Sequence, residues 1–304
     1  MPDAEADALF ADARALAERT GDLRSRALLT GFYGVVKMGQ GDVASFAAHS
    51  VESVGLAEQT GDPVLIGALH DNVIIAHTML GRLDEAQEAY TRAVALLGDD
   101  PTVGIDFYGI SPLLSVTNMW LYTLVWMGRF GEAERELRRA REVAKQHQQL
   151  DILCWLETCT VLLARLGGNV VRPLDHAGSA TELAEKVGNA FSRVVASWGL
   201  GMAHGLAEEW PASVAALESA VTLARDCRAD LIFEPTLLAY LAESYAGAGD
   251  ARLARARADE ALALAQQRET RPQEIDAQLA VARVRRCAEG LIARPAIEAA
   301  LERG

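Results

Sequence analysis

The sequence contains little proline, few aromatic residues and no closely paired cysteines. Among 304 residues there are 9 prolines, and aromatic residues make up 6%, although half of all residues are hydrophobic. Alanine and leucine supply much of that hydrophobic half, which is typical of proteins built from packed helices. The 4 cysteines show no CxxC spacing, and we therefore interpret them as separate buried thiols.

Clustered positive charge and long apolar runs are also missing. The formal net charge is −13, which argues against non-specific binding to nucleic acid or to an anionic membrane. No run of about 18 apolar residues is present, so no segment is expected to span a bilayer. The first residues, MPDAEADALF, are acidic and lack the basic and then apolar order of a signal peptide. We therefore expect a cytoplasmic protein.

The sequence also lacks the short motifs by which common catalytic and cofactor sites are recognised. It contains no GxSxG, P-loop, GxGxxG or HExxH pattern. His70 and His77 lie seven residues apart, whereas two zinc ligands on a helix are typically four residues apart and need a third ligand. We predict a protein that is not an enzyme and has no metal or cofactor. An enzyme or metal protein with an unrecognised site is the less favoured alternative.

One stretch, GRLDEAQEAYTRAVALLGDDP from Gly81 to Pro101, has the pattern of a turn, an amphipathic helix and a second turn. Gly81 can take the positive φ that ends a preceding helix, and Pro101 marks the end of the new one. The apolar residues share one helix face because they follow three-and-four spacing. On that face the small Ala86 and Ala93 lie on either side of the large Tyr90.

This order of small, large and small residues resembles the second helix of a tetratricopeptide repeat. That repeat places a glycine, an alanine, an aromatic residue and a second alanine at the positions of Gly81, Ala86, Tyr90 and Ala93. Residues 64–80 would be its first helix, although the usual tryptophan and glycine are missing there. The resemblance implies two-helix hairpins that stack side by side.

Weaker copies of the stretch recur along almost the whole chain. The phrase LAERTGD at 16–22 returns as LAEQTGDP at 56–63. The predicted turns fall at positions 41, 81, 128, 168, 208 and 249, with glycine at each of them except Glu208. Their separations of 40, 47, 40, 40 and 41 residues indicate a repeat that is longer than the ordinary tetratricopeptide repeat of about 34 residues.

The sequence therefore predicts an all-α protein, a right-handed α-solenoid of about six tetratricopeptide-like helical hairpins with C-terminal capping helices. Residues 1–304 are expected to form a single helical-repeat domain. Residues 3–20 fit either a leftover second helix or an N-terminal cap. The predicted hairpins occupy residues 22–60, 62–98, 103–147, 149–187, 189–228 and 231–268, and the cap occupies 271–304, with helices over 272–289 and 295–303.

The one longer separation between predicted turns, 47 residues, is explained by an insertion, PTVGIDFYGISP, at residues 101–112. Two prolines, two glycines and several β-favouring residues argue against a continuous helix here. We expect a longer connection that can fold over one face of the scaffold, and such loops often carry function. A tolerated surface insertion without a role is the alternative.

In a solenoid of this kind, the first helices of successive hairpins line the concave surface. Their polar and aromatic residues, such as Asp71 and Phe233, are therefore candidates for ligand binding. Because most tryptophans lie on first helices, an aromatic groove for an apolar, sugar-like or peptide ligand is one interpretation. Packing of these rings in the core is the other. The strongest candidates are Asn72, Asn118, Trp120, Trp126, Asp151, Trp155, Arg193 and Trp198.

Longer phrases resemble a known family. These are MGRFGEAERELRRAREVAK, FEPTLLAYLAESYAGAGDARLARARADEALALA and EIDAQLAVARVRR. They are similar to the helical-repeat region of actinobacterial multidomain signal-transduction ATPases of the cyclase-like, LuxR-like and maltose-regulator type. The resemblance implies a sensing role, in which the superhelix binds an effector or partner and controls an attached nucleotide-binding or cyclase module. No such module and no helix-turn-helix is found in this sequence.

We therefore expect a protein- or ligand-binding scaffold, the sensor or interaction region of a signalling or transcription-regulatory protein, without direct contact to nucleic acid or membrane. Its partner would be a protein, a peptide or a small-molecule effector in the concave groove. The main alternative is a peptide-sensing regulator that binds an oligopeptide there. Its carboxylate would be held by Arg24, Arg26, Lys37 and Arg193.

Overall fold

The computed structural model describes residues 3–168 and 172–289 of the chain. Within these ranges the chain forms helices and no strands, which confirms the predicted all-α solenoid. The helices are α1 (Asp3–Thr20), α2 (Leu23–Gln40), α3 (Val43–Glu58), α4 (Pro63–Met79), α5 (Leu83–Leu97), α6 (Ile105–Tyr108), α7 (Pro112–Trp126), α8 (Phe130–Gln146), α9 (Leu150–Gly167), α10 (Pro173–Val187), α11 (Ala190–Leu206), α12 (Trp210–Cys227), α13 (Glu234–Gly247), α14 (Ala251–Gln267) and α15 (Arg271–Glu289). A short 3-10 turn, Leu231–Phe233, precedes α13.

Apart from the short α6, the helices from α2 to α14 are arranged as consecutive packed pairs, namely α2 with α3, α4 with α5, α7 with α8, α9 with α10, α11 with α12 and α13 with α14. We call the earlier member of each pair its first helix and the later member its second helix. Helix α1 packs on α2, and α15 packs on α13 and α14. The predicted helix at 295–303 and the end of the predicted cap lie outside the described residues.

The turns between helices follow the residues that mark them in the sequence. Gly41 follows α2 in the left-handed conformation, with φ 77°, where a Cβ would be strained. Asp42 then caps α3, and its side chain accepts a hydrogen bond from the backbone N–H of Ser45 at 3.0 Å. Glu208, the predicted turn without glycine, also has a positive φ of 58°. The repeat period is therefore visible in the backbone.

Small residues on the second helices let neighbouring helices approach closely. Ala86 and Ala93 of α5 are fully buried. Tyr90 between them stacks on Trp120 of α7, with 5.0 Å between the ring centroids. The large ring fills the space that the alanines leave open, so the contact is tightly packed.

The first helices α4, α7 and α9 are buried on nearly all sides, whereas α2 is more exposed. In α4 even the polar His70 and Asn72 are only 4% and 6% exposed. Further along, Tyr122 of α7, Trp198 of α11 and Phe233 of the 3-10 turn form an aromatic cluster with centroids 5.5 to 6.2 Å apart. First helices that are distant in sequence therefore share one continuous core.

The superhelix is wound so tightly that its first hairpin contacts its last. Helix α2 packs against the 3-10 turn, and α4 packs against α15. At Gly39 the two ends meet so closely that a Cβ would lie 2.7 Å from the carbonyl oxygen of Arg228. We call this meeting of α2 and α4 with Arg228, the 3-10 turn and α15 the closure contact. It brings the two ends of the inner surface together, where a more open solenoid would leave a continuous groove.

Candidate functional site

The inner surface contains a cavity of about 340 Å³, which we call the central cavity. It lies between the first helices α2, α4, α7 and α9, the start of α11 and the 3-10 turn. Its apolar wall consists of Phe32, Val35, Met38, Ile75, Ile110, Met119, Trp155, Phe191 and Phe233. Its polar wall consists of Asp71, Asn72, Tyr108, Ser115, Asp151 and Asn189. A mostly apolar pocket of this size with a few polar groups is typical of small-molecule sites.

Part of the apolar wall is left uncovered by the fold. Phe32 and Val35 of α2 are 43% and 36% exposed, although both line the central cavity. Transfer of apolar surface out of water contributes about 25 cal/mol per Å². An apolar molecule in the cavity would therefore gain free energy by covering these two side chains.

The insertion at residues 101–112 forms one side of the central cavity. Its middle is the short helix α6, flanked by two glycines with φ 86° and 87°. Tyr108 and Ile110 line the cavity. The backbone N–H of Ser111 donates to Oε1 of Gln149 at 2.9 Å, which holds the end of the insertion against the start of α9. The insertion is thus folded over the inner face of the solenoid.

Asp71 is the buried acidic group of this wall, with 9% of its surface exposed. Its Oδ2 accepts hydrogen bonds from Oγ of Ser115 at 2.9 Å and from the hydroxyl of Tyr108 at 3.1 Å. Its Oδ1 is buried and has no protein partner. Burial raises the pKa of Asp71 to about 6, and burial together with this carboxyl raises the pKa of Tyr108. The carboxyl therefore has one satisfied oxygen and one that lacks a donor.

The opposite wall is built where α9 meets the start of α11. Asp151 accepts a hydrogen bond from Nδ2 of Asn189 at 2.9 Å. Asn189 in turn caps α11 by accepting from the backbone N–H of Ser192 at 2.7 Å. Trp155 donates its indole N–H to Oγ of Ser192 at 3.2 Å and packs edge-on against Phe191 at 5.0 Å. These bonds fix the orientation of the tryptophan ring that faces the cavity.

Three of the predicted groove residues line the central cavity: Asn72, Asp151 and Trp155. They come from α4 and α9, whose sequences lie about 80 residues apart. Nδ2 of Asn72 donates to the backbone carbonyl of Gly31 in α2 at 3.3 Å, so this amide also joins two first helices. The fold thus brings together residues that the sequence could only assign to a common type of helix.

Four other predicted residues do not line the cavity. Trp120 and Trp198 are 3% and 1% exposed and belong to the core, as does the partly buried Trp126. Asn118 is 1% exposed. Met119, which lies between Asn118 and Trp120 in α7, lines the cavity. The side chains of successive helical residues point about 100° apart. Asn118 and Trp120 are therefore turned away from the cavity and into the packed layers.

The predicted basic residues form ion pairs elsewhere, and none of them lines the central cavity. Arg193, which was predicted to line the groove, is exposed on α11. The pairs are Arg24 with Asp62, Arg26 with Glu18, Lys37 with Asp7 and Arg193 with Glu185. These cations are therefore not placed to hold a carboxylate inside the cavity.

Several cavity residues could not be selected from the sequence. Phe32, Val35 and Phe191 are apolar and look like ordinary core residues, while Ser115 and Asn189 look like ordinary helix residues. Tyr108 is different, since it lies in the irregular insertion. The added length and the aromatic residues of that insertion are the features of the sequence from which Tyr108 could have been selected as a candidate.

No group of three or more His, Cys, Asp or Glu side chains within residues 3–168 and 172–289 is placed to hold a metal ion. In the same ranges, no helix combines the length and the apolar character that crossing a bilayer requires.

The chain has a recognisable fold but little sequence similarity to characterised proteins. No protein family model and no curated protein matches it. It is similar in structure to a signal transduction ATPase with numerous domains from Pyrococcus horikoshii, which has a tetratricopeptide repeat sensor. The TM-score is 0.57 at 14% sequence identity, over 90% of this chain and 40% of that one. The likeness supports the helical-repeat fold, and this chain spans two fifths of the length of that protein.

Proposed function

We propose that this chain is the sensor region of a cytoplasmic signalling protein and that it binds a small-molecule effector in the central cavity. The observation that carries the proposal is the composition of the cavity wall. Residues from α2, α4, the insertion, α7, α9, α11 and the 3-10 turn meet there. A bound molecule would therefore contact helices from the first hairpin to the last at once.

A ligand bound in the central cavity would couple its binding to the shape of the superhelix. Phe32 lies in the first hairpin and Phe233 at the start of the last, and both face the cavity. A ligand that contacts both side chains stabilises the closed arrangement over any more open one. Ligand binding thereby changes the free-energy difference between the closed and the open arrangement, and a sensor acts through this change. The activity of an attached catalytic or DNA-binding module would depend on which arrangement is populated.

A small effector fits the observations better than an oligopeptide. The cavity measures about 340 Å³, near the lower end of the range for small-molecule pockets. An extended peptide needs a long open groove, whereas the closure contact brings the two ends of the solenoid together. The basic residues that would hold a peptide carboxylate are engaged in ion pairs outside the cavity.

The proposal is tested by filling the cavity without changing the rest of the surface. Val35 and Val36 are neighbours on α2 with nearly equal exposure, 36% and 37%, but only Val35 lines the central cavity. We expect saturation-transfer NMR to detect binding of indole, a neutral aromatic probe, to the wild-type protein. Val35→Trp should abolish the signal because the new ring occupies the cavity, while Val36→Trp should retain it. Equal signals from both variants, or no wild-type signal, would contradict the assignment.

A further inference from the structure

The charge of the central cavity has one sign. Its lining includes two carboxylic acids, Asp71 of α4 and Asp151 of α9, and no lysine, arginine or histidine. A cavity with acidic groups and no basic ones favours a cation and disfavours an anion. The acidic net charge of the chain, −13, acts in the same direction at longer range.

One carboxylate oxygen in the cavity lacks a donor. Oδ2 of Asp71 is held by Ser115 and Tyr108, while Oδ1 is buried without a protein partner. A buried acceptor without a hydrogen bond is unfavourable. Protein atoms cover Oδ1 in this structure, so a donor in the cavity reaches it when the Asp71 side chain rotates, and the new bond then removes that penalty. Because a carboxylate binds charged donors most strongly, an ammonium group is the best match for this oxygen.

Aromatic rings form much of the remaining wall. Phe32, Tyr108, Trp155, Phe191 and Phe233 all line the cavity. The faces of such rings attract organic cations, and their large apolar surface covers a carbon skeleton. Carboxylates together with several aromatic rings are therefore suited to a positively charged group that is attached to an apolar body.

From these observations we infer that the effector is a small organic amine, whose ammonium group pairs with Asp71 and whose apolar body packs between the rings of Phe32, Trp155 and Phe233. The inference rests on the proposed function, because it assigns the ligand class of the same cavity. Asp151 lies on the facing wall and adds to the attraction for positive charge. Asp151 is less buried than Asp71, so water screens its charge more strongly, and Asp71 is the primary partner.

Three probes that share a phenylethyl body and differ in charge test the inference on the wild-type protein. They are 2-phenylethylamine, 2-phenylethanol and 3-phenylpropionate, measured by isothermal titration calorimetry near pH 8, where the amine is still a cation. We expect the amine to bind at least about tenfold more tightly than the alcohol, because only the amine forms a charge-assisted hydrogen bond. The carboxylate should bind most weakly.

Variants of the two aspartates test whether these residues cause the preference for the amine over the alcohol. Asp71→Asn keeps the size of the side chain and removes its charge, so the amine should lose its advantage while the alcohol binds as before. Asp151→Asn, at a partly buried position where the side-chain carbonyl oxygen can still accept the bond from Asn189, should reduce the advantage in part. It also provides a test if the Asp71 variant does not fold. The matched control is Asp106→Asn, since Asp106 is exposed on α6 and does not line the cavity.

The outcomes separate this inference from the proposed function. If amine and alcohol bind equally well and Val35→Trp blocks both, the cavity is a binding site but the ligand class is wrong. The same conclusion holds if indole binds and none of the three probes does, or if the carboxylate binds best. An amine preference that survives in both Asp71→Asn and Asp151→Asn would also overturn the inference. If Val35→Trp changes no binding at all, the proposed function fails with it.

Discussion

Replacing Asp71 by asparagine should stabilise the protein in a pH-dependent way, even without a ligand. Burial raises the pKa of this carboxyl from 3.8 to about 6. The folded state therefore keeps the proton up to about pH 6, whereas the unfolded state releases it near 3.8. As the pH rises through this window the folded state loses stability relative to the unfolded state. Above it, the ionised carboxyl reduces the free energy of unfolding by about 3 kcal/mol.

Asparagine removes this penalty while preserving most of the local geometry. Its carbonyl oxygen can accept the hydrogen bonds of Ser115 and Tyr108, and its amide nitrogen takes the position of the unpartnered Oδ1. Weaker hydrogen bonds offset about 1 kcal/mol of the gain. We therefore expect Asp71→Asn to be more stable than the wild type by about 2 kcal/mol near pH 8. Near pH 4.5, where the wild-type penalty is only about 1 kcal/mol, that advantage should disappear.

The measurement is urea-induced unfolding followed by circular dichroism at the two pH values. Burial also raises the pKa of Asp230, and that of Asp276 to about 7, so the wild type itself becomes less stable as these groups ionise. Both are present in the variant as well, and the difference between the two proteins therefore isolates Asp71. Asp106→Asn, at an exposed position, should show no pH-dependent difference. An equal effect of Asp71→Asn at both pH values would refute the reasoning.

Two further predictions concern the closure contact and a buried ion pair. Gly39→Leu should lower the free energy of unfolding by about 1–3 kcal/mol through overpacking and enlarge the radius of gyration in small-angle scattering, because its Cβ would lie 2.7 Å from a carbonyl oxygen of Arg228. Gly55→Ala, at a helical glycine with no atom within 4 Å of the added carbon, should instead stabilise by about 0.5–1 kcal/mol; the opposite order would contradict the closure contact. Arg165→Met should reduce stability in urea by about 3 kcal/mol, because it leaves the charge of the largely buried Glu243 with only a more exposed arginine partner. A loss below about 1 kcal/mol would show that the pair is not needed.

The repeat architecture could be predicted because its causes are local. Helix ends depend on a few neighbouring residues, such as Gly41, which takes the left-handed conformation, and Asp42, which caps the next helix. The alternation of Ala86, Tyr90 and Ala93 likewise defines a face within a single helix. Repetition of such local signals about every 40 residues was sufficient to predict the paired helices.

The candidate site was predicted only in part. Membership of a first helix suggested Asn72, Asp151 and Trp155, and all three line the central cavity. The same reasoning suggested Trp120 and Trp198, which the structure places in the core at 3% and 1% exposure. Helix α7, for example, is buried on nearly all sides, so a large aromatic residue on such a helix can be buried without lining the cavity. Which face points inward depends on the rotation of the helix, and the residue pattern does not specify it.

The sequence by itself determined the helices, their pairing and the irregular segment between the second and third hairpins, because each follows from residues that are close in the chain. Only the tertiary structure decided that the first hairpin meets the last, and that Phe32, Asp71, Tyr108, Trp155 and Phe233 face one another across a cavity. The curvature of a solenoid is the sum of small rotations between successive hairpins. Each rotation is set by side-chain packing between helices, so the central cavity appears only when all of these rotations are combined.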